Sequence, residues 1–381
     1  MVEISEKIEA SLMIASYLET IGFKNSEWEF NYNYTVNTSS MYLKIWTFLL
    51  HHYMILGGSN IDITGWNASD DTILILATAK ACIEGGGENK YKDQYLFYLD
   101  ILNDKRRMPG VTTLESLNFL KNNEPSKLKV NSNMGGNGAA MRTGPIGLVW
   151  YNNIEKVIEE SLIASKLTHN YYIGFLGGMV TALFTAFAMN NIQPWEWCDK
   201  LLELYNNNII QKYYTSDGLD NYIGYWKKYK ETRISKLKFK NTSGNFIHPS
   251  ERTEFLLGFS PNSTIKNQLS SGKQFNELEN FEWYQIGATG LDSCIYAYDC
   301  LLLSMNTSGS TRLDFKNIEY SWDSFITLVA IHPGDNDTTA AIGGSWYGAL
   351  LGYHGLNRNR MEQLEFYKEL KIVSDKIIKN L

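Results

Sequence analysis

Apolar residues recur at three-and-four spacing through most of the chain. That period places them on one face of an α-helix. It predicts helices over 4–21, 72–84, 91–103, 139–152, 153–166, 172–190, 195–206, 292–304, 318–331, 339–354 and 360–379. The period of two that marks a half-buried strand is suggested in TVNTSSMYLKIW (35–46). The helices differ in length and loop chemistry, and no repeat of solenoid length recurs. The expected architecture is all-α, a single domain over 1–381 with a polar irregular segment at 207–280. Within that segment the lysines of KKYKETRISKLKFKNTSGNFIHPSER (227–252) read as the solvated face of a helix and a loop.

One window departs from the amphipathic pattern. YYIGFLGGMVTALFTAFAM (171–189) carries no charge and is long enough to span a bilayer. Its three glycines and two threonines favour a buried central helix instead. The start of the chain, MVEISEKIEASLMIASYL, lacks the basic opening of a signal peptide. A cytoplasmic monomer is therefore expected, with no membrane partner. A chain of 381 residues can bury a large core. Its net charge of −6 argues against a nucleic-acid partner, which calls for a basic face. Cys82, Cys198, Cys294 and Cys300 form no CxxC pair and sit among apolar residues. They read as small buried hydrophobes, not as disulfides or zinc ligands.

The candidate chemistry lies in two acidic turns. Gly334-Asp335-Asn336-Asp337-Thr338-Thr339 runs directly into small apolar residues, and Asn67-Ala68-Ser69-Asp70-Asp71-Thr72 runs into ILILATAKACIE. Asp, Ser and Thr before a helix are ordinary N-caps. One cap needs one such residue, and two carboxylates in one turn repel unless something positive lies between them. The two turns together offer four carboxylates and several hydroxyls. These hard oxygens suit two divalent cations such as Mg²⁺, Mn²⁺ or Ca²⁺ better than zinc. A third stretch, Asn133-Met134-Gly135-Gly136-Asn137-Gly138-Ala139-Ala140-Met141-Arg142, brings three glycines before an Ala-rich segment. It is either an ordinary turn or a cradle of backbone N–H groups for a diphosphate. Its glycine spacing is not that of a dinucleotide-binding fingerprint.

In this order the three stretches resemble the ADP-ribosylglycohydrolase family, and within it the branch acting on ADP-ribosylarginine. The likeness is strongest in SDDTILILATAKA (69–81), GGNGAAMRTGPIGL (135–148), THNYYIGFLGGMVTALFTAFA (168–188) and GDNDTTAAIGGSWYGALLGY (334–353). WEF (28–30), RMPGVTT (107–113) and ATGLDSCIYAYD (288–299) add to it. The resemblance implies an orthogonal multi-helix fold that cleaves the bond between ADP-ribose and a protein side chain. It implies that Ser69, Asp70, Asp71, Asp335, Asp337 and Thr338 hold two Mg²⁺ ions. Gly135, Gly136, Asn137 and Gly138 would cradle the diphosphate, while Gly110, Val111, Thr112, Thr289 and Asp292 would touch the ligand. Glu29, Asp70 and Asp71 would carry the catalysis, Glu29 standing where the arginine-specific branch has a glutamate. The implied partners are ADP-ribose and ADP-ribosylated protein. Other linkages (serine, O-acetyl-ADP-ribose, poly(ADP-ribose)) and a role in binding alone are the alternatives.

Several positions depart from the family pattern. Leu18-Glu19-Thr20-Ile21-Gly22 stands for Gly-Asp-Ala-x-Gly, Asn170-Tyr171-Tyr172 for His-His-Pro, and Gly290-Leu291-Asp292 for Gly-His-Asp. Gln285 replaces an aromatic residue. Among lesser candidates, Arg142 is expected against a phosphate or a nearby acid. His169, His332 and His354 are expected to be structural, as are Trp195, Trp197, Trp283 and Trp346. Asp292 could equally cap the helix it begins.

Overall fold

The computed structural model describes residues 2–31, 39–234, 286–307 and 318–381. The first helix, α1, runs Ile4–Phe23 and is buried on almost every side. It stops where Lys24 and Asn25 take left-handed conformations, and a short turn carries Glu29 before α2, Ser39–Ile55. Then come α3 (Asp70–Ile83), α4 (Glu88–Phe97), α5 (Leu99–Leu102) and α6 (Val111–Leu120). The middle of the chain supplies α7 (Gly144–Val149), α8 (Ile154–Lys166), α9 (Tyr172–Met189), α10 (Pro194–Asn206) and α11 (Asp217–Tyr229). After the next described stretch opens, α12 (Asp292–Leu303) leads into a ribbon of β1 (Met305–Thr307) and β2 (Ile318–Tyr320), paired antiparallel. The chain finishes with α13 (Trp322–Val329), α14 (Asn336–Leu351) and α15 (Tyr367–Asn380).

The all-α expectation holds. The corrections concern particular elements. Residues 39–46 of the suggested strand are helical in α2, where Ile45, Leu49 and Tyr53 fall four residues apart and are all buried. Residues 35–38 lie outside the described residues. The predicted helix over 318–331 begins as strand β2 and turns helical at Trp322, where Ser321 caps it. The stretch 139–152 is a 3₁₀ turn followed by the short α7, with Pro145 in its first turn. Within the segment 207–280, the described residues after Ser216 are helical. Leu219, Tyr222, Ile223, Trp226 and Tyr229 give α11 a fully buried face. Residues 235–280, with most of the lysine-bearing stretch, lie outside the described residues, as do Trp283 and Gln285.

The uncharged window is α9, in which every residue but Tyr172 is buried inside the protein. Phe184, near its middle, has Trp197, Trp226, Tyr298 and Trp346 around it, with ring centroids 5.2–5.3 Å away. Trp197 and Trp346 are therefore core residues, while Trp195 is half-buried. The four cysteines are buried and none is in a disulfide.

The closest helix pair is α1 with α14, and it explains the small residues after the late acidic turn. A Cβ on Gly344 would lie 2.9 Å from the Ala15 Cα, and one on Gly348 would lie 2.4 Å from the Ala10 carbonyl carbon. Backbone approaches backbone here, so no rotamer change could make room. Gly348→Ala should gain about 1 kcal/mol of helix propensity and lose more to overpacking, which costs about 1–3 kcal/mol. The expected net effect is destabilisation, read as a lower denaturant midpoint at unchanged slope.

Candidate metal centre

The two acidic turns are 264 residues apart in sequence, counting from Asp71 to Asp335, and the fold joins them. The first begins α3. Ser69 is its N-cap and accepts from the Asp71 N–H, while the Ser69 hydroxyl reaches the Asp71 carboxylate at 3.1 Å. The second begins α14, where Asp335 occupies the N-cap position without a side-chain cap bond. Capping thus accounts for Ser69 and leaves the aspartates unexplained. The Thr338 hydroxyl donates to Asp71 across the junction at 3.3 Å.

Two further elements complete the group. The Phe30 N–H donates to the Gly334 carbonyl at 2.9 Å, pinning the short turn that carries Glu29 beside the late acidic turn. Glu29, Asp335 and Asp337 bring one oxygen each within 4.8 Å of one another, and all three are buried. From α1, the wholly buried Glu19 accepts from the Ser69 N–H (2.7 Å), the Ser69 hydroxyl (2.9 Å) and the Thr72 N–H (3.3 Å), all on one oxygen. Gly22, one turn on, is small enough for α14 to pass. A Cβ there would lie 2.8 Å from the Asn336 carbonyl oxygen.

Six buried carboxylates therefore meet in one place: Glu19, Glu29, Asp70, Asp71, Asp335 and Asp337. Among the described residues none of them is in an ion pair. The second oxygens of Glu19 and Glu29 are buried with no hydrogen-bond partner. Burial pushes every one of the six above the ordinary carboxylate range, Glu19 to about 7 and Asp70 to about 8. Mutual repulsion adds to this for Glu29, Asp70, Asp71 and Asp337. Hard oxygen donors, unpartnered atoms and no cationic side chain are the donor chemistry that divalent ions such as Mg²⁺ require. The residues present fit such ions: Glu29, Asp335 and Asp337 could hold one together, with Asp70, Asp71, Ser69 and Thr338 beside them.

A sequence model of the ADP-ribosylglycohydrolase family matches residues 50–381. The chain belongs to the ADP-ribosylglycohydrolase family. A protein of Acanthamoeba polyphaga mimivirus, provisionally named an ADP-ribosyl glycohydrolase, is 31% identical over 94% of this chain and 67% of its own. The Dictyostelium discoideum ADP-ribosylhydrolase ARH1 is 28% identical over 95% of this chain and 91% of its own. A solved structure of an ADP-ribosylglycohydrolase-related protein complex shares the fold, with a TM-score of 0.53 at 13% identity and 98% of both chains covered.

Beside this ADP-ribosylglycohydrolase centre lies the glycine-rich turn, and it is more tied down than an open cradle. The Asn137 side chain donates to Asp335 and to the Gly287 carbonyl, both at 2.7 Å, so it orients an acidic residue. Gly138 is packed on His169, where a Cβ would lie 2.6 Å from the ring. Gly135 and Gly136 stay half-exposed and pair with the turn at Thr289 and Gly290. Asp292, the first residue of α12, is taken up by the preceding turn, accepting from the Gly287 and Thr289 N–H groups and from the Thr289 hydroxyl. Gly110 and Val111 are exposed and Thr112 half-buried at the start of α6, where the Gly110 N–H lies against Asp70.

Arg142 requires a correction. It is wholly buried, and its guanidinium donates to Tyr95, the Gly138 and Ala164 carbonyls and Thr168. It meets neither a phosphate face nor an acid, and instead props the glycine-rich turn from beneath. His169 is structural as expected, bonded to Thr168 and held neutral by burial, near 3. His332 braces Thr339, whereas His354 is exposed and is not a packing residue. The residue that sequence reasoning left outside the site is Glu19. Its signal was present: it stands where the family pattern has an aspartate.

The raised acids fix the sign of a pH effect. A carboxyl held above its unfolded value stabilises the fold fully below the unfolded value, and that contribution is lost as pH rises through the folded one. For Asp292 (about 6), Glu19 (about 7) and Asp70 (about 8) the window runs from about pH 4 to about 8. In EDTA the melting temperature should fall across that window, and millimolar Mg²⁺ should flatten the decline. Calorimetric scans at several pH values with and without the ion check both.

Proposed function

We propose that the protein is a Mg²⁺-dependent hydrolase that releases mono-ADP-ribose from modified arginine side chains. The observation that carries this reading is the group of six carboxylates without a cationic partner, lying against a glycine-rich turn. Bound divalent ions would supply positive charge that holds the ribose oxygens and stabilises charge as the glycosidic bond breaks. The chain's own groups do the rest. Half-exposed Gly135 and Gly136 receive the diphosphate by backbone contact. The carboxylates stabilise the oxocarbenium character that develops at the anomeric carbon when the side chain departs. Glu29 takes the proton-handling role in this reading, which its unpartnered oxygen and its place on a turn beside Asp335 and Asp337 support. The guanidine leaves protonated, and water adds to the anomeric carbon.

The arginine linkage draws support from Glu29 in the WEF stretch, which matches the arginine-specific branch, and from the similarity to the Dictyostelium ADP-ribosylhydrolase. A cytoplasmic monomer acting on modified proteins is the setting proposed with it.

The deciding assay is release of ADP-ribose from arginine-modified protein, with Mg²⁺ and then with EDTA. Release that EDTA abolishes is expected. Glu29→Gln should lower kcat by about 10²–10⁴-fold, with ADP-ribose binding retained in calorimetry. Asp70→Asn and Asp337→Asn should lose Mg²⁺-dependent turnover, and full turnover in either would sink the assignment. Release from serine-modified protein alone would move the linkage. ADP-ribose binding without release from any substrate would leave a binding role.

A further inference from the structure

The early acidic turn is gripped from outside the acid cluster as well. Ala68 directly precedes Ser69, and both of its backbone polar groups are taken by one ion pair. Its N–H donates to Glu365 at 2.9 Å, and its carbonyl accepts from Arg107 at 2.8 Å. The guanidinium then closes the bracket with two bonds onto the Glu365 carboxylate, at 2.5 and 2.7 Å. Its plane lies 5.6 Å from the ring of Phe366. The Arg107 side chain is only 7% exposed. This is no solvated surface pair, whose contribution would be small.

The same arginine opens the loop Met108-Pro109-Gly110, which leads into α6. One ion pair thus holds both backbone polar groups of the residue that leads into Ser69. Glu365 lies between the 3₁₀ turn Arg358–Gln363 and α15, so it is the C-terminal segment that anchors the bracket. A planar fork is needed to span the Glu365 carboxylate and the Ala68 carbonyl together, and a lysine has no equivalent.

We propose that Arg107 and Glu365 are positioning residues of the metal centre: they set the aim of Ser69, Asp70 and Asp71 and thereby its affinity for divalent cations. This rests on the metal reading of the acid cluster, and the experiment separates the two. Mn²⁺ is titrated into the full-length protein without substrate, and free ion is read by electron paramagnetic resonance. Arg107→Lys and Glu365→Gln should each weaken Mn²⁺ binding by about 10–100-fold, the effect of losing an outer-shell partner. Arg106→Gln, which removes the neighbouring exposed pair with Asp104, should leave binding unchanged. A lowered melting temperature with unaltered Mn²⁺ affinity in both clamp variants overturns the proposal and leaves a structural salt bridge. Absence of Mn²⁺ binding by the unsubstituted protein overturns the metal reading, and the clamp with it. If Arg107→Lys does not fold, Glu365→Gln decides, since it keeps an oxygen for the Ala68 N–H.

Discussion

Six carboxylates in one buried place repel one another, and much of the rest of the structure is arranged to keep them there. Four of the six stand at helix starts, Asp70 and Asp71 on α3, Asp335 and Asp337 on α14. Each helix start offers about half a positive charge, far short of what six ionised groups require. Burial removes the option of screening by water, and no side-chain cation approaches among the described residues. Protons or metal ions must make up the balance. Burial raises Glu19 and Asp70 and so favours protons where no metal ion is bound. A protein gains nothing in stability from such a pocket, so its retention points to chemistry.

Holding like charges together demands a stiff frame. The helices that present the acids are packed as closely as backbones allow. Gly22, Gly344 and Gly348 bring α1 and α14 into contact along their length, which fixes Glu19 relative to Asp337. The α14 segment then runs against the aromatic cluster centred on Phe184, through Trp346. The small apolar run after the late acidic turn is the price of this proximity: larger side chains would push the two sources of carboxylate apart.

Much of this was legible in the sequence, for a physical reason. Helical period and the placement of Asp, Ser and Thr before apolar runs are local signals, and α1, α3, α8, α9, α10, α12 and α14 follow them closely. What local pattern could not carry was contact between remote segments. The meeting of Thr338 with Asp71, the grip of Glu19 on Ser69 and the arrival of Glu365 at Ala68 each join residues tens to hundreds of positions apart. Arg142 illustrates the opposite error. A basic residue after a glycine-rich turn suggests an anion partner, but the turn itself, α8 and the turn after α8 offered carbonyl and hydroxyl acceptors that satisfied it inward. The strand suggested at 35–46 gave way to helix over 39–46 because the alternation was short, whereas the four-residue spacing of Ile45, Leu49 and Tyr53 continued beyond it.

The departures from the family pattern fall into two physical kinds. At Leu18 and Glu19 the change is compensated: Leu18 is buried in the core, and the glutamate's extra methylene still brings an oxygen to three donors at the start of α3. That site has little freedom, because any loss of its geometry leaves buried charge unmanaged. At Asn170, Tyr171 and Tyr172 there is no such constraint. Asn170 bonds the Leu128 carbonyl, Tyr171 packs beside Gly135, and all three are half-buried at the outer side of the glycine-rich turn. Changes there leave the carboxylates undisturbed. Under the proposed function, the carboxylate side of the site and the side at Asn170, Tyr171 and Tyr172 can therefore diverge separately, and differences in the substrate accepted would belong on the second.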